Sequence, residues 1–135
     1  MSWLLTLGLP IPPTTNSAYV SIKGGRRKLS TVGKVFKQQV KDSVARLFDL
    51  PGLDGLTNKP LELEITLYMP VINKGWSTGK AKFRYKRVDV SNRVKLLEDA
   101  LCEALSIDDA QIVGLTIEKR DSLTTGTLVT LYQKE

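Results

Sequence analysis

Hydrophobic and polar positions repeat along this chain with two distinct periods, and the periods divide it into elements. Residues 2–9 are a short apolar run closed by Pro10, Pro12 and Pro13, which predicts a buried strand followed by an extended, stiff loop. Tyr19 to Leu29 predicts a hairpin turned at Gly24-Gly25. Ser30 or Thr31 is positioned to cap a helix with apolar positions at Val32, Val35, Phe36, Val40, Val44, Leu47 and Phe48, ending before Pro51-Gly52. Leu61, Leu63, Ile65, Leu67 and Met69 then alternate as one face of a half-buried strand. From Ser91 onward, Val94, Leu97, Leu101, Ala104 and Leu105 recur at helical spacing and predict a second amphipathic helix to about residue 105. Residues 106–109 predict a turn and Gln111 to Lys119 a strand. A polar turn at 121–126 leads to a final strand, Thr127 to Gln133, expected to pair antiparallel with the one before it. Residues 70–88 show no period and read as a mobile loop. The layout predicts an α+β single domain over residues 1–135, a mixed β-sheet with two main helices packed on one face.

Composition narrows the chemistry. The 135 residues include 20 Lys and Arg, 14 Asp and Glu, one cysteine and no histidine. Without histidine there is no Ser-His-Asp or Cys-His hydrolase and no His-ligated zinc. With Cys102 alone there is no intrachain disulfide and no Cys-cluster metal site. A catalytic metal would need hard oxygen ligands, which points to Mg²⁺ or Mn²⁺. No apolar run reaches the roughly 20 residues of a membrane span. The opening MSWLLTLGLP lacks the basic n-region and cleavage site of a signal peptide. The expected location is therefore cytoplasmic, with no membrane partner.

Charge is segregated rather than merely positive. Residues 1–41 and 65–88 hold 13 of the 20 basic side chains and none of the 14 acidic ones. The remainder is net acidic. Ordinary surfaces mix signs, so this separation predicts one region for a polyanion and another for a cation. Arg26, Arg27 and Lys28 in the hairpin, Lys34, Lys37 and Lys41 on the first helix, and Lys82, Arg84, Lys86 and Arg87 in the loop are the candidate nucleic-acid contacts. Trp76, Phe83 and Tyr85 offer flat surfaces on which an unpaired base would stack, or alternatively pack beneath the loop.

The acids gather around the second helix. Asp89 precedes it, and Asp108 and Asp109 follow it. A helix of about 14 residues is about 21 Å long, so these acids converge only if loops fold back or a second subunit contributes. Asn92, Lys95 and Asp99 share its polar face. Each of these residues also suits a structural role. Asp89 faces a positive helix terminus, Asp108-Asp109 fits a turn, and Lys95 with Asp99 makes an ordinary i,i+4 pair.

Three motifs, in this order, resemble the RusA family of Holliday-junction resolvases, small phage and prophage endonucleases. PPTTNSAY is similar to the family's Pro-Pro-x-x-Asn-x-x-Tyr element, here Pro12, Pro13, Asn16 and Tyr19. RVDVSNRVKLLEDAL is similar to its Asp-x-Asp-Asn-x-x-Lys helix start, and SIDDAQIVGLTIEK to its Asp-Asp-x-Gln-Val/Ile strand start. The resemblance implies a RusA-like fold and a Mg²⁺-dependent endodeoxyribonuclease (Mn²⁺ as a substitute). It would act as a homodimer that nicks four-way DNA junctions in recombination and repair, with no organic cofactor. Carried over residue by residue, the metal-ligating acids fall on Asp89 and Asp109, the essential lysine on Lys95, and the DNA-contacting Asn on Asn92. Ser91 stands where the best-known members have a second acid, so Ser91 or Asp108 would assist the metal. The alternative is a non-catalytic junction-DNA-binding relative weakened by Ser91. A more distant one is an RNA-binding module that uses the aromatic loop.

Overall fold

The computed structural model describes residues 1–47, 55, 56, 58–86 and 91–134, without the side chain of Ser91. Phe48, Arg87 and Asp89 lie outside the described residues. Strand β1 (Ser2–Leu9) leads through the proline loop into a one-turn helix α1 (Thr15–Ala18). The hairpin β2 (Tyr19–Ser21) and β3 (Arg27–Leu29) follows, then helix α2 (Thr31–Ala45) and strand β4 (Leu61–Met69). Helix α3 (Ser91–Leu105), a 3₁₀ turn at Asp109–Gln111, strand β5 (Ile112–Asp121) and strand β6 (Gly126–Gln133) complete the order.

The main sheet runs β1-β6-β4-β5, with β4 parallel to β5 and antiparallel to β6. This corrects the expected β5–β6 hairpin. β4 is inserted between the two strands, and residues 122–125 hop over its end, where the Ser122 amide donates to the Met69 carbonyl at 3.1 Å. Crossing two inter-strand spacings takes roughly 10 Å, well within the reach of four residues. Placing β4 centrally pairs both of its backbone edges, and the parallel β4–β5 pair takes the long connection that contains α3.

One face of the sheet is apolar because the strand period puts it there. Leu61, Leu63, Ile65 and Leu67 of β4, Leu5, Leu7 and Leu9 of β1, and Val129 and Leu131 of β6 are all buried. Phe36, Val40 and Val44 of α2 and Val94, Leu97 and Leu101 of α3 close over them. The domain is α+β, with a mixed sheet and its two main helices on one face.

Three local expectations change. Residues 70–88, expected as a mobile loop, are closed across the base of their described part, to residue 86, by backbone bonds between Asn73 and Arg84 and between Lys86 and Val71. The proline loop is not wholly extended. Thr14 caps α1, its hydroxyl accepting from the Ser17 amide, so the chain turns once before the hairpin. Val32 and Val35, expected in the α2 stripe, are 54% exposed, and the buried line is Gly33, Phe36, Val40 and Val44. Gly33 explains that rotation. A β-carbon there would meet the Ala18 carbonyl oxygen at 2.6 Å and Leu29 at 2.8 Å, so α2 turns its bare residue to the α1–hairpin junction. The Ser30 cap donates from its hydroxyl to the Ser17 carbonyl at 2.6 Å and accepts from the Gly33 amide, tying both helices together.

Gly33→Ala is therefore expected to destabilise the fold by about 1–3 kcal/mol, as overpacking does. Gly8→Ala, with open space around its β-carbon, is expected to be neutral or slightly stabilising. Paired thermal or urea denaturation of the two variants checks this.

Candidate functional site

The first family-like motif is a brace. Arg93 Nη1 donates to the Pro12 carbonyl at 2.8 Å, and the Thr15 hydroxyl donates to the Asn92 carbonyl at 2.9 Å. The proline loop and α1 thus grip the first turn of α3 from residues some 80 positions away in sequence. Among the described residues, Arg93 Nε is buried without a hydrogen-bond partner. Tyr19 lies under Arg27, whose guanidinium carbon is 5.7 Å from the ring centroid, which steadies the basic hairpin.

The other end of α3 is a reversal. Ser106 takes a left-handed conformation with φ of 55°. The Ile107 amide donates to the Cys102 carbonyl at 2.9 Å and the Ser106 amide to the Glu103 carbonyl at 3.3 Å, the paired bonds of a Schellman cap. Asp108 then caps the 3₁₀ turn, its carboxylate accepting from the Ala110 amide at 2.9 Å while its own amide donates to Gln111 Oε1. That backbone amide holds the Asp108 carboxyl below its ordinary value, helped by an interaction with Asp109. Gln111 uses its amide nitrogen as well, donating to the Leu56 and Lys59 carbonyls at 2.6 and 3.1 Å. The Asp-Asp-x-Gln motif is accordingly a clamp. Asp108 and Gln111 are largely consumed in building it, and Asp109 is left exposed at the head of β5.

The reversal carries Asp109 back alongside the middle of α3. Glu98, half-buried and bordering an apolar pocket with Leu101, Cys102 and Ile107, shows where it arrives. Burial raises the Glu98 carboxyl first, the charges of Asp109 and Asp99 raise it further, and Lys95 opposes them. Cys102 responds similarly. Burial pushes its thiol up to about 12, reinforced by Glu98, Asp109, Asp99 and Asp108. Lys95, Glu98, Asp99, Asp108 and Asp109 thus share one electrostatic neighbourhood, although Lys95 and Asp109 are 14 positions apart in sequence.

Glu98 was missed from the sequence. Its clue was the i,i+3 step from Lys95, hidden because Glu98 sits at the margin of the apolar stripe. Asp89 and the Ser91 side chain lie outside the described residues. Among the described residues no three acidic or thiol side chains are grouped to hold a metal ion. The available donors are nonetheless all carboxylates, the hard-oxygen class that suits Mg²⁺.

Of the expected DNA contacts, Arg26, Arg27 and Lys28 stand exposed on the hairpin, as do Lys82 and Arg84 beyond β4. Lys86 and Asn92 are half-buried, and Arg87 lies outside the described residues. Lys34, Lys37 and Lys41 line a groove between α2 and α3. Lys37 pairs with Glu103 at 2.8 Å, a solvent-exposed bridge that lowers the Glu103 carboxyl and contributes little to stability. Among the described residues no helix is long and apolar enough to cross a membrane.

A raised Glu98 carboxyl means that its ionised form weakens the fold above the ordinary Glu value of 4.5, and that the penalty vanishes once both states are protonated. Glu98→Gln in chelator is expected to raise the thermal midpoint at pH 7, with the difference closing as pH falls below about 4.5. A pH series of melts on the two proteins checks it.

The chain matches the family model described as endodeoxyribonuclease RusA over residues 10–132. No individually curated protein matches it. That span runs from the proline brace through the hairpin, both main helices and the clamp into the last strand, and the chain belongs to the RusA endodeoxyribonuclease family.

Proposed function

We propose that this protein is a Mg²⁺-dependent resolvase of four-way DNA junctions, hydrolysing one phosphodiester in each of two strands. Membership of an endodeoxyribonuclease family supports the reaction class. The observation that carries the residue assignment is the shared neighbourhood of Lys95 and Asp109 around Glu98, built by the reversal after α3.

Asp109 and Asp89 would hold the ion, with Ser91 or Asp108 assisting. When bound, Mg²⁺ supplies an acidified water and neutralises charge on the scissile phosphate. Lys95 is exposed, and its ammonium meets a phosphate oxygen as a point charge or donates a proton to the leaving oxygen. Asp108 and Gln111 keep Asp109 at the head of β5. Glu98 sets the local field, disfavouring a second uncompensated negative charge and so favouring a cation beside Asp109. The basic hairpin, the lysines of α2 and the cations beyond β4 follow phosphates of the junction arms.

Two aligned nicks need two sites, so the functional unit in this proposal is a homodimer. The sheet face away from the helices supports it, with Trp3 57% and Leu128 40% exposed on adjacent strands. The alternative, a junction-binding protein that does not cut, is favoured by Ser91, a neutral residue at an acidic position of the family pattern.

Cleavage of a synthetic four-way junction decides between them. Asp109→Asn, Asp89→Asn and Lys95→Ala are each expected to lower the rate at least about 100-fold, on the scale set by disturbing a metal site, while junction binding persists. EDTA is expected to abolish cutting. Binding by wild type with no nicking in Mg²⁺ or Mn²⁺ would establish the alternative, and equal cutting by wild type and variants would refute the site.

Ser91→Asp restores the missing carboxylate, and a lower Mg²⁺ concentration for half-maximal activity is expected. The logarithm of junction affinity should fall linearly with that of salt, with a slope of about −0.9 per phosphate neutralised. Charge-removing changes at Arg26, Arg27 and Lys28 are expected to flatten it.

A further inference from the structure

Residues 71–86 form an arm whose construction the nicking chemistry does not require. Its base is closed by backbone pairing, the Asn73 amide donating to the Arg84 carbonyl at 2.8 Å and the Lys86 amide to the Val71 carbonyl at 2.7 Å, with Ile72 bridged to Tyr85. The Asn73 side chain adds a bond to the Phe83 carbonyl. Val71 is buried, and its amide donates to the Asp121 carboxylate at 2.9 Å, which anchors the arm to the end of β5. Turns at 73–81 close the tip, where the Ala81 amide donates to the Gly75 carbonyl at 3.0 Å.

The arm spends this order on displaying aromatic rings. Phe83 is 59%, Tyr85 55% and Trp76 45% exposed. Exposed large apolar surface carries a hydration cost, and a cluster of it on a braced element marks a contact site. Phe83 and Tyr85 converge on a shallow cavity of about 420 Å³ shared with Asn73, Arg84 and Lys86. Each ring has a cation beside it, Lys82 Nζ 5.6 Å from the Phe83 centroid and the Arg84 guanidinium carbon 5.4 Å from that of Tyr85. No acidic residue occurs from 65 to 88, whereas six basic ones do. Flat apolar rings with cations beside them suit a ligand that is itself flat and carries phosphate.

We propose that Phe83 and Tyr85 are a stacking platform for an unpaired nucleobase of branched DNA, with Lys82 and Arg84 holding the phosphates on either side of it. The proposal rests on the branched-DNA reading of the chain and deepens it by naming what tells a branch from a duplex. In a duplex every base face is already stacked, and the platform has only the arm's cations to offer. At a crossover a base is exposed or cheaply freed, and stacking rewards that substrate alone. Tyr85 lies four residues before Asp89, at most about 14 Å along the chain. A base held there lies within a few nucleotide steps of the phosphate that Asp89 would address. Because the arm is pre-ordered, little entropy is lost on binding.

The test uses the full chain, its double variant Phe83→Ala/Tyr85→Ala, and the ring-preserving variant Tyr85→Phe. Three DNAs carry 2-aminopurine: a four-way junction with the analogue at the crossover, a single strand, and a linear duplex. Expected are a 2-aminopurine signal change on wild-type binding to junction and single strand, and a loss of affinity on the order of tenfold per ring in the double variant for those two DNAs. Duplex affinity should be unchanged, and Tyr85→Phe should behave as wild type. If wild type binds junction in preference to duplex and the double variant does so equally well, the platform is overturned while the branched-DNA reading stands. If wild type shows no junction preference, that reading falls, and the single strand alone decides the platform: retained affinity in the double variant overturns it, a loss supports it. Tighter binding to an RNA strand of the same sequence than to the DNA strand would overturn the assignment to DNA.

Discussion

The apolar face of β4 is the seat on which the rest of the domain is arranged. Leu61, Leu63, Ile65 and Leu67 are each at most 2% exposed, and Val94, Leu97 and Leu101 of α3 belong to the same buried cluster. Burial of side chains of this size is worth roughly 1.5–3 kcal/mol each, so sliding or rotating α3 would cost more than any polar contact at its surface returns. That seating decides which way Lys95 and Glu98 face. Because β4 also pairs with β5, the same strand fixes the height at which β5 begins, and hence where Asp109 stands relative to the helix. The candidate site's geometry is inherited from a hydrophobic contact that Glu98 borders and that Lys95 and Asp109 stand outside.

Two of the family's motifs prove to be mostly scaffolding. The proline motif contributes the carbonyl of Pro12 and, through Thr15, a hydroxyl, both spent on holding the first turn of α3. The Asp-Asp-x-Gln motif spends one acid and the glutamine on a capping box and a clamp to the 56–59 backbone. Such devices fix backbone rather than chemistry. What the two motifs leave outside this framework among the described residues is small: Asp109 and Lys95, both exposed, with Glu98 half-buried beside them.

Charge segregation has a corresponding physical basis. The acids that influence Glu98 and Cys102 come from α3 and the turn after it, and they reinforce the rise that burial gives those two groups. The cations stand on the hairpin, on α2 and on the arm beyond β4, where they are mostly exposed. In water at physiological salt their fields fade over about 8 Å. The cationic elements therefore act locally on phosphates that touch them, and the acidic neighbourhood stays favourable to a cation even though the protein as a whole is positive.

Local pattern was sufficient for much of this. The period-2 run at 61–69, the helical repeat from Ser91, the Gly24-Gly25 turn and the Ser30 cap each carry their own physics in a few adjacent residues, and each lies where the pattern puts it. The motifs carried the family as well, through order and spacing. What adjacent residues do not encode is competition between distant edges. Strands β5 and β6 look like a hairpin because a polar turn joins them, yet β4 takes the place between them, since only there are both of its backbone edges paired. Val32 and Val35 look like core until Gly33 meets Ala18 across a gap no β-carbon fits. Asp109 looks stranded beyond the far end of α3 until a left-handed Ser106 turns the chain back along the helix. The sequence by itself determined the elements, their apolar faces and the supply of carboxylates, lysine and basic side chains. The tertiary structure alone decided which of them meet, because that depends on burying a shared face and on pairing backbone edges from opposite ends of the chain.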